Sequence, residues 1–391
     1  MSSTCKACLL CHTPLEGHVL MALDNMPASA QDIPDQSQLA QDAGISLQLC
    51  QCPSCGLTQF SCEPVSYYRD VIRSGGFSTT MVELRRRQYT HLIETYQLQG
   101  KKVMEIGCGR GEFLQVLREF PVSAYGIEHK KDLVEIAQTE GLSVWEGFAE
   151  NETTVLPGRP YDVFLSFNFL EHQPDPNGML SCIYENLTDD GIGLLTVPSL
   201  EYILKHDGYY ELIRDHLAYY TFDTLRYLLE RNGFRVLEEE MVNRDTLSMI
   251  VRKVPKSTQA HPNFCPVDVS GLKASRDRIQ QQVDQLVDSL HQKGKALAIW
   301  GASHQGFTLA ATTRLGTKVA YIIDSAPFKQ GLFAPTSHLP ILSPDDALKN
   351  PVDAILIVAP GYTEEIAGII RSRFGSDTSI FTLRSNYIEE I

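Results

Sequence analysis

Several groups of residues in this chain have the types and spacing to do chemistry. Residues 103–111 read VMEIGCGRG, an apolar run ending in Gly107, Gly109 and Gly111, and a helix-like stretch, 112–120, follows. Glu128 comes 21 residues after Gly107, at the end of a second apolar run, 124–127. Glycines let a ligand approach the backbone, and an acid at that distance takes the two hydroxyls of a ribose. Glu105 precedes the first glycine, and the spacing is GxGxG rather than GxGxxG. Glu105, Gly107, Gly109, Gly111 and Glu128 therefore read as a site for a ribose-containing cofactor.

Further along, 213–220 read IRDHLAYY. Asp215 beside His216 offers an imidazole base with a carboxylate nearby, and histidine titrates close to working pH. Tyr219 and Tyr220 could contact an acceptor. Residues 166–172 read SFNFLEH and follow the fourth strand signal of the same region. The carboxyl ends of strands line the ligand crevice of a doubly wound sheet, so Asn168 and His172 belong near cofactor or substrate.

Near the start, Cys8 and Cys11 form one CxxC pair and Cys52 and Cys55 a second, about 40 residues on. Four thiolates fit a tetrahedral zinc ion, and a site closed by four protein ligands is structural. Register stays open, because Cys5 also pairs as CxxC with Cys8, and Cys50 and His12 are spare donors. An iron–sulfur cluster is the lesser alternative. In the last third, 300–306 read WGASHQG, after one strand signal and before a helix. The N–H groups at such a helix start can hold phosphate. Asp324 ends the next strand, where a ribose-binding acid would lie. Gly301, Ser303, His304, Gln305 and Asp324 are thus candidates for holding a nucleotide.

The elements that must position these groups follow from periodicity. Strands are expected at 102–106, 124–127, 143–146, 162–167, 193–197, 236–240 and 247–251, alternating with helices, which implies a mostly parallel sheet covered on both faces. A stretch at 66–99 reads as helix with a break at Gly75 and Gly76, and Arg85, Arg86 and Arg87 read as a solvated face. Residues 254–269 carry Pro255, Pro262 and Pro266 and make the best linker. Ser270 is placed to cap a long helix, with Ile279, Val283, Leu286, Val287 and Leu290 at helical spacing. A second α/β series follows, with strands expected at 296–300, 319–323, 354–358 and 379–382. The division is 1–80 for the cysteine module with a helical extension, 81–254 for the cofactor domain and 270–391 for a C-terminal lobe.

Composition sets outer bounds. The chain has 391 residues, 43% hydrophobic and 21% charged, as in ordinary globular proteins. Its formal charge of −14 argues against general nucleic-acid binding, which neutralises phosphates. No apolar run approaches the roughly 18 residues of a membrane span, and the first residues lack a secretory pattern. A cytoplasmic location is expected, with no membrane partner.

The GxGxG turn with Glu105 and Glu128 resembles the S-adenosylmethionine (SAM) site of class I methyltransferases. The whole order resembles the sugar C-methyltransferases of deoxysugar pathways across nearly the full chain: double CxxC, EIGCGRG, Asp215-His216, GASHQG, then the runs 323–330 and 338–341. The resemblance implies an α/β fold of three parts, a small zinc module, a doubly wound SAM domain and a Rossmann-like lobe. It implies SAM and a structural Zn2+ as cofactors, and a nucleotide-diphosphate keto-deoxy sugar as substrate. His216 would remove the proton beside the ketone, with Asp215 supporting the ring. The lobe, with Lys329 in its matching run, would hold the nucleotide diphosphate. Where the family carries tyrosine and lysine, Ile213 and Gln305 stand, and 71–76 replace a tyrosine-bearing stretch. A sugar O-methyltransferase and a binding protein without turnover are the alternatives.

Overall fold

A computed structural model describes residues 7–70, 78–256, 260–359 and 361–391. The expectations resting on Cys5, on 71–76 and on the Gly75-Gly76 break lie outside those residues.

The N-terminal module is built on β1 (Val19–Met26), β2 (Ile45–Gln51) and β3 (Thr58–Phe60), paired antiparallel in that order. Met21, Leu23 and Met26 of β1 point inward while most of their neighbours face water, so the alternation fixes which face packs. The sheet takes a fourth strand from far along the chain, as given below. The helical stretch expected from residue 66 is shorter in the structure. It runs as α1 (Thr79–Thr95), with Ser78 accepting from the Met81 N–H at its start. Arg85 departs from the solvated face expected of it: it is 1% exposed, with its guanidinium 3.6 Å from the Phe167 ring centroid and 4.7 Å from that of Phe113. Aromatic faces attract a planar cation, so α1 is fastened to the sheet by its charge as well as by Leu84, Tyr89 and Leu92.

The middle domain alternates β4 (Lys102–Ile106), α2 (Glu112–Leu117), β5 (Ser123–Glu128), α3 (Lys131–Thr139), β6 (Val144–Glu146), β7 (Tyr161–Phe167), α4 (Pro176–Asn186) and β8 (Leu187–Pro198). After α5 (Leu200–Lys205) comes β9 (Ala218–Tyr219), which leaves this domain's sheet and pairs with β3 of the N-terminal module. α6 (Phe222–Arg231), β10 (Phe234–Val242) and β11 (Thr246–Lys253) complete the domain. The described strands lie in the order β10-β11-β8-β7-β4-β5-β6, parallel except around β11. The closing antiparallel pair is the class I methyltransferase arrangement expected from sequence.

Residues 254–269 hold no regular element where described, yet they are strapped down. The Gln51 amide donates to the Cys265 carbonyl at 2.7 Å and accepts from the Val267 N–H at 3.0 Å. α7 (Ser270–Gln292) begins with Ser270 as its first residue, not its cap; the Asp268 carboxylate accepts from the Ser270 N–H at 2.8 Å instead. The C-terminal lobe then runs β12 (Leu297–Trp300), α8 (His304–Thr312), α9 (Leu315–Lys318), β13 (Ile322–Ile323), β14 (Ile341–Leu342), α10 (Pro344–Lys349), β15 (Ala354–Ile357), α11 (Thr363–Arg373), β16 (Ser379–Leu383) and β17 (Ile388–Glu390). Its order is β14-β13-β12-β15-β16-β17, parallel but for the last strand. β13 is shorter than the expected 319–323, and Val319 instead ends α9, its N–H donating to the Leu315 carbonyl at 2.9 Å.

One apolar cluster joins all three parts. It holds Met21, Leu47 and Phe60 from the module, Tyr209 and Leu212 from the segment before β9, Tyr219 of β9, and Ile279, Leu297 and Phe307 from α7 and the lobe. The Asp215-His216 segment is therefore packed at the junction of the three parts.

Candidate active site

The cofactor turn is shaped by three glycines in left-handed backbone. Gly107, Gly109 and Gly111 have φ of 69°, 59° and 81°, a region costly for side-chain residues. Space is short as well: a Cβ on Gly107 would press on the Phe169 ring at 3.1 Å, and one on Gly111 would displace the end of the Leu142 side chain, 2.2 Å away. Glu128, at the end of β5, folds its carboxylate onto this turn. It accepts from the Gly109 N–H and the Lys130 N–H, both at 2.9 Å. Burial raises its pKa against the pull of those donors. Glu105 is fully buried on β4. Asn168 follows β7 with φ of 49°, and its side-chain oxygen accepts from the Thr196 hydroxyl at 2.8 Å. A carboxylate and N–H groups around a turn kept clear of side chains fit a ribose-bearing cofactor.

His172 ends the 3-10 turn Leu170–His172 after β7, and His216 lies in the loop before β9. Their rings meet edge to face, centroids 4.9 Å apart. The His172 Nδ1 donates to the Asp215 carbonyl at 2.7 Å, which ties the two segments and fixes which nitrogen carries the proton. Burial lowers the His172 pKa to about 4. Burial, then the charges of His172 and His304, lower that of His216 well below the usual value. Both rings are therefore neutral at pH 7, the state a base needs.

Asp215 is placed differently from expectation. Its carboxylate accepts from the Tyr67 hydroxyl at 2.8 Å and the Ala30 N–H at 3.1 Å, not from the His216 ring. It orders the N-terminal module over the site, and only its backbone carbonyl serves a histidine. Burial raises its pKa, opposed by the Tyr67 hydrogen bond. Tyr219 does not offer its hydroxyl to a methyl acceptor, since it donates to the Ile213 carbonyl at 3.1 Å. Pairing of β9 with β3 turns its ring into the core, where the hydroxyl accepts from the Ile213 N–H at 2.8 Å. Tyr220 is fully buried as well, and burial, then the charges of Glu171, Cys8 and Cys55, raise its pKa well above 10. It stands between the cysteine cluster and Glu171.

Cys8, Cys11, Cys52 and Cys55 come together, with all four sulfurs within 4.8 Å of one another. The Cys8–Cys55 and Cys11–Cys52 sulfur separations are 3.5 and 3.4 Å. A Zn–S bond of about 2.3 Å puts tetrahedral sulfurs about 3.8 Å apart, so this donor set could hold one ion after small adjustment. The hydrogen bond between Cys8 and Cys55 draws the Cys8 thiol down and pushes the Cys55 thiol up, as one proton shared by two sulfurs requires.

In the C-terminal lobe, Gly301 has φ of 126° and Ser303 caps α8 by accepting from the Gly306 N–H. Asp324 accepts from the Ala302 N–H at 2.9 Å, and Lys329 lies 3.4 Å from that carboxylate and donates to the Ala302 carbonyl at 2.7 Å. His304 and Gln305 reach out of the lobe to Glu211, at 3.0 and 2.6 Å. A cavity of about 10 Å³ lies between the parts, lined by Ser29, Ala30, Ile213, Arg214, His304 and Thr308 among others. A roomier one, about 390 Å³, lies against α1 and the β10–β11 edge, touches none of these residues and is not the site.

A methyltransferase domain family matches residues 81–239, and a C-methyltransferase C-terminal domain family matches residues 268–379. C-methyltransferase NovU of Streptomyces niveus is 23% identical over 89% of this chain and 88% of its own length. The chain is a SAM-dependent C-methyltransferase. A ubiquinone biosynthesis O-methyltransferase of Pasteurella multocida is 25% identical, but over only 28% of this chain and 55% of itself. Among solved structures, the PH0226 protein of Pyrococcus horikoshii is 14% identical with a TM-score of 0.40, covering 48% of this chain and 99% of that one. Magnesium protoporphyrin IX methyltransferase of Synechocystis PCC 6803 is 18% identical with a TM-score of 0.36, covering 44% of this chain and 83% of that one.

In this methyltransferase the turn at Gly107–Gly111 and Glu128 would hold SAM. His172, His216 and Asp215 stand together at the carboxyl end of the sheet, and His304 is tied to them through Glu211. Tyr67, Glu171 and Glu211 were not singled out from sequence. Glu171 directly precedes His172 and was in view. Tyr67 and Glu211 left no sequence signal, since each gains its place only when separate parts of the chain pack. Among the described residues no helix is long and apolar enough to cross a membrane.

Proposed function

We propose that this enzyme methylates the carbon beside the ketone of a nucleotide-linked 4-keto-6-deoxy sugar, with His216 as general base. The observation that carries this reading is the partly buried His216 ring, set edge to face against His172 at the junction of the SAM domain, the N-terminal module and the lobe. SAM, when bound, supplies a methyl group already activated for displacement. The chain orients the reactants and moves one proton. A nitrogen of His216 takes the proton from the carbon, and the electron pair left behind spreads onto the ketone oxygen. His172, locked by the Asp215 carbonyl, walls one side of the ring and stays uncharged. Asp215 holds Tyr67 and Ala30 of the module over the site.

The lobe supports a nucleotide substrate, since its Gly301 turn, helix start and Asp324 repeat the device of the SAM domain. Lys329 bonds the Ala302 carbonyl and faces Asp324, and would turn from them to meet a diphosphate. The four cysteines would hold Zn2+ as a structural ion that keeps the module seated, and their thiols suit the reducing cytoplasm. The test is incubation of the protein with methyl-deuterated SAM and a panel of nucleotide-linked keto and hydroxy sugars, read by mass spectrometry. A labelled gain on keto sugars, with His216→Ala inactive yet still binding SAM, is expected. Gain on hydroxy sugars alone, or loss of SAM binding in His216→Ala, overturns the assignment.

A further inference from the structure

Glu171, His172 and His216 form a second cluster of metal-ligating side chains, apart from the cysteines. Their ligand atoms all lie within 4.8 Å of one another, and the His172 Nε2 is 3.8 Å from the Glu171 carboxylate. Glu171 and His172 are 2% and 5% exposed. Two features prepare the cluster to hold an ion. The His172 Nδ1–H is committed to the Asp215 carbonyl at 2.7 Å, which leaves the Nε2 lone pair facing the other two groups. Metal-binding histidines are oriented by this kind of outer hydrogen bond. The loop that bears His216 is pinned by the Leu217 N–H donating to the Glu171 carbonyl at 2.9 Å, so both segments are held in register.

We infer that Glu171, His172 and His216 form a binding site for a divalent transition-metal ion. Two imidazoles and a carboxylate suit Zn2+, Co2+ or Fe2+, and are a poor match for Mg2+ or Ca2+, which prefer all-oxygen shells. Metal–nitrogen bonds of about 2.0–2.1 Å place neighbouring ligands about 3.3 Å apart, so the site closes on an ion with side-chain shifts below about 1 Å. Three protein ligands leave a fourth position open, unlike the four-cysteine cluster. The ion needs a lone pair of His216, and the proton taken by a base needs the same lone pair. The two uses of His216 exclude each other. A bound ion therefore silences the base, and methyl transfer is inhibited by excess of these metals.

The site is tested by ion binding rather than turnover, so its failure is distinct from failure of the proposed reaction. Purified full chain is titrated with Co2+ alone and followed by absorbance and by native mass spectrometry. Thiolate-bound cobalt shows an intense charge-transfer band; cobalt held by imidazole and carboxylate shows only weak visible bands. The expected result is a cobalt species without thiolate charge transfer in the wild type. Its affinity should fall at least 100-fold in Glu171→Gln and in His172→Gln, while the cysteine-bound ion remains. The two variants guard against a folding defect in either, checked by circular dichroism. Only thiolate-bound cobalt in the wild type, or a second ion unaffected in the folded variants, overturns the inference.

Discussion

The two strand–turn–helix sites of this chain use one backbone device with opposite results. In the SAM domain the Gly109 N–H donates to Glu128 at 2.9 Å; in the lobe the Ala302 N–H donates to Asp324 at 2.9 Å. Around the first, three glycines keep side chains away. Around the second, Lys329 sits on the acid and on the turn, and His304 and Gln305 are committed to Glu211. A recurring fold motif supplies the crevice, and the side chains at its rim decide whether the crevice is open or closed by the protein itself.

Glycine substitution separates the two most sharply. At Gly109 an added Cβ meets only the flexible end of Glu112, 3.2 Å away, whereas at Gly301 it meets the Val358 backbone carbonyl at 2.6 Å. Gly109→Val is expected to weaken SAM at least 100-fold, about 3 kcal/mol, with a smaller loss of stability from its left-handed φ. Gly301→Ala is expected to lose about 2–4 kcal/mol of folding stability and leave SAM affinity nearly intact. Titration calorimetry beside chemical denaturation reads both. Equal losses of stability would mean that the two turns are packed alike.

The two acids should answer differently to neutralisation. Burial raises the Glu128 pKa, so its charge opposes folding: that contribution is favourable below the unfolded pKa and lost as pH rises through the folded one. Glu128→Gln forfeits hydrogen bonds but also this desolvation cost, so stability at pH 7 should shift by less than about 1 kcal/mol. SAM affinity should fall roughly tenfold, one good charge-assisted bond being about 1.5 kcal/mol. In the wild type SAM should bind more weakly as pH falls, at a higher pH than the protonation of an ordinary glutamate would give. Asp324→Asn strands Lys329 and should cost about 1–2 kcal/mol of stability with SAM binding unchanged. A stability loss in Glu128→Gln exceeding that of Asp324→Asn contradicts the comparison.

Legibility from sequence followed the range of the interactions. The Gly107–Gly111 turn and the strands around it were readable because glycine spacing and apolar periodicity are local signals. The four cysteines were readable for the same reason, as two short pairs. Arg85 was misread because its partners, Phe113 and Phe167, approach only when α1 docks. Asp215 was found, but adjacency to His216 suggested a bond that folding gives to Tyr67, 148 residues away. β9 was hidden because a two-residue strand carries no period, yet it joins the N-terminal module to the middle domain.

The smallest effect expected concerns the contact that closes the second turn. Glu211 and His304 are each about 28% exposed at the side chain, so their pairing contributes modestly, on the order of 0.5–1 kcal/mol. Its value lies in position. Glu211 precedes Ile213 and the Asp215-His216 pair on one short segment, so a hold on Glu211 sets where that segment sits against the lobe. Glu211→Gln keeps the size and can still accept from Gln305, but gives up the charge facing His304. A two- to fivefold rise in KM for the nucleotide substrate is expected, with SAM affinity unchanged and kcat altered less than KM. If kcat falls and KM stays fixed, the contact governs the base itself, and the lobe's turn is closed for catalysis rather than for substrate recognition.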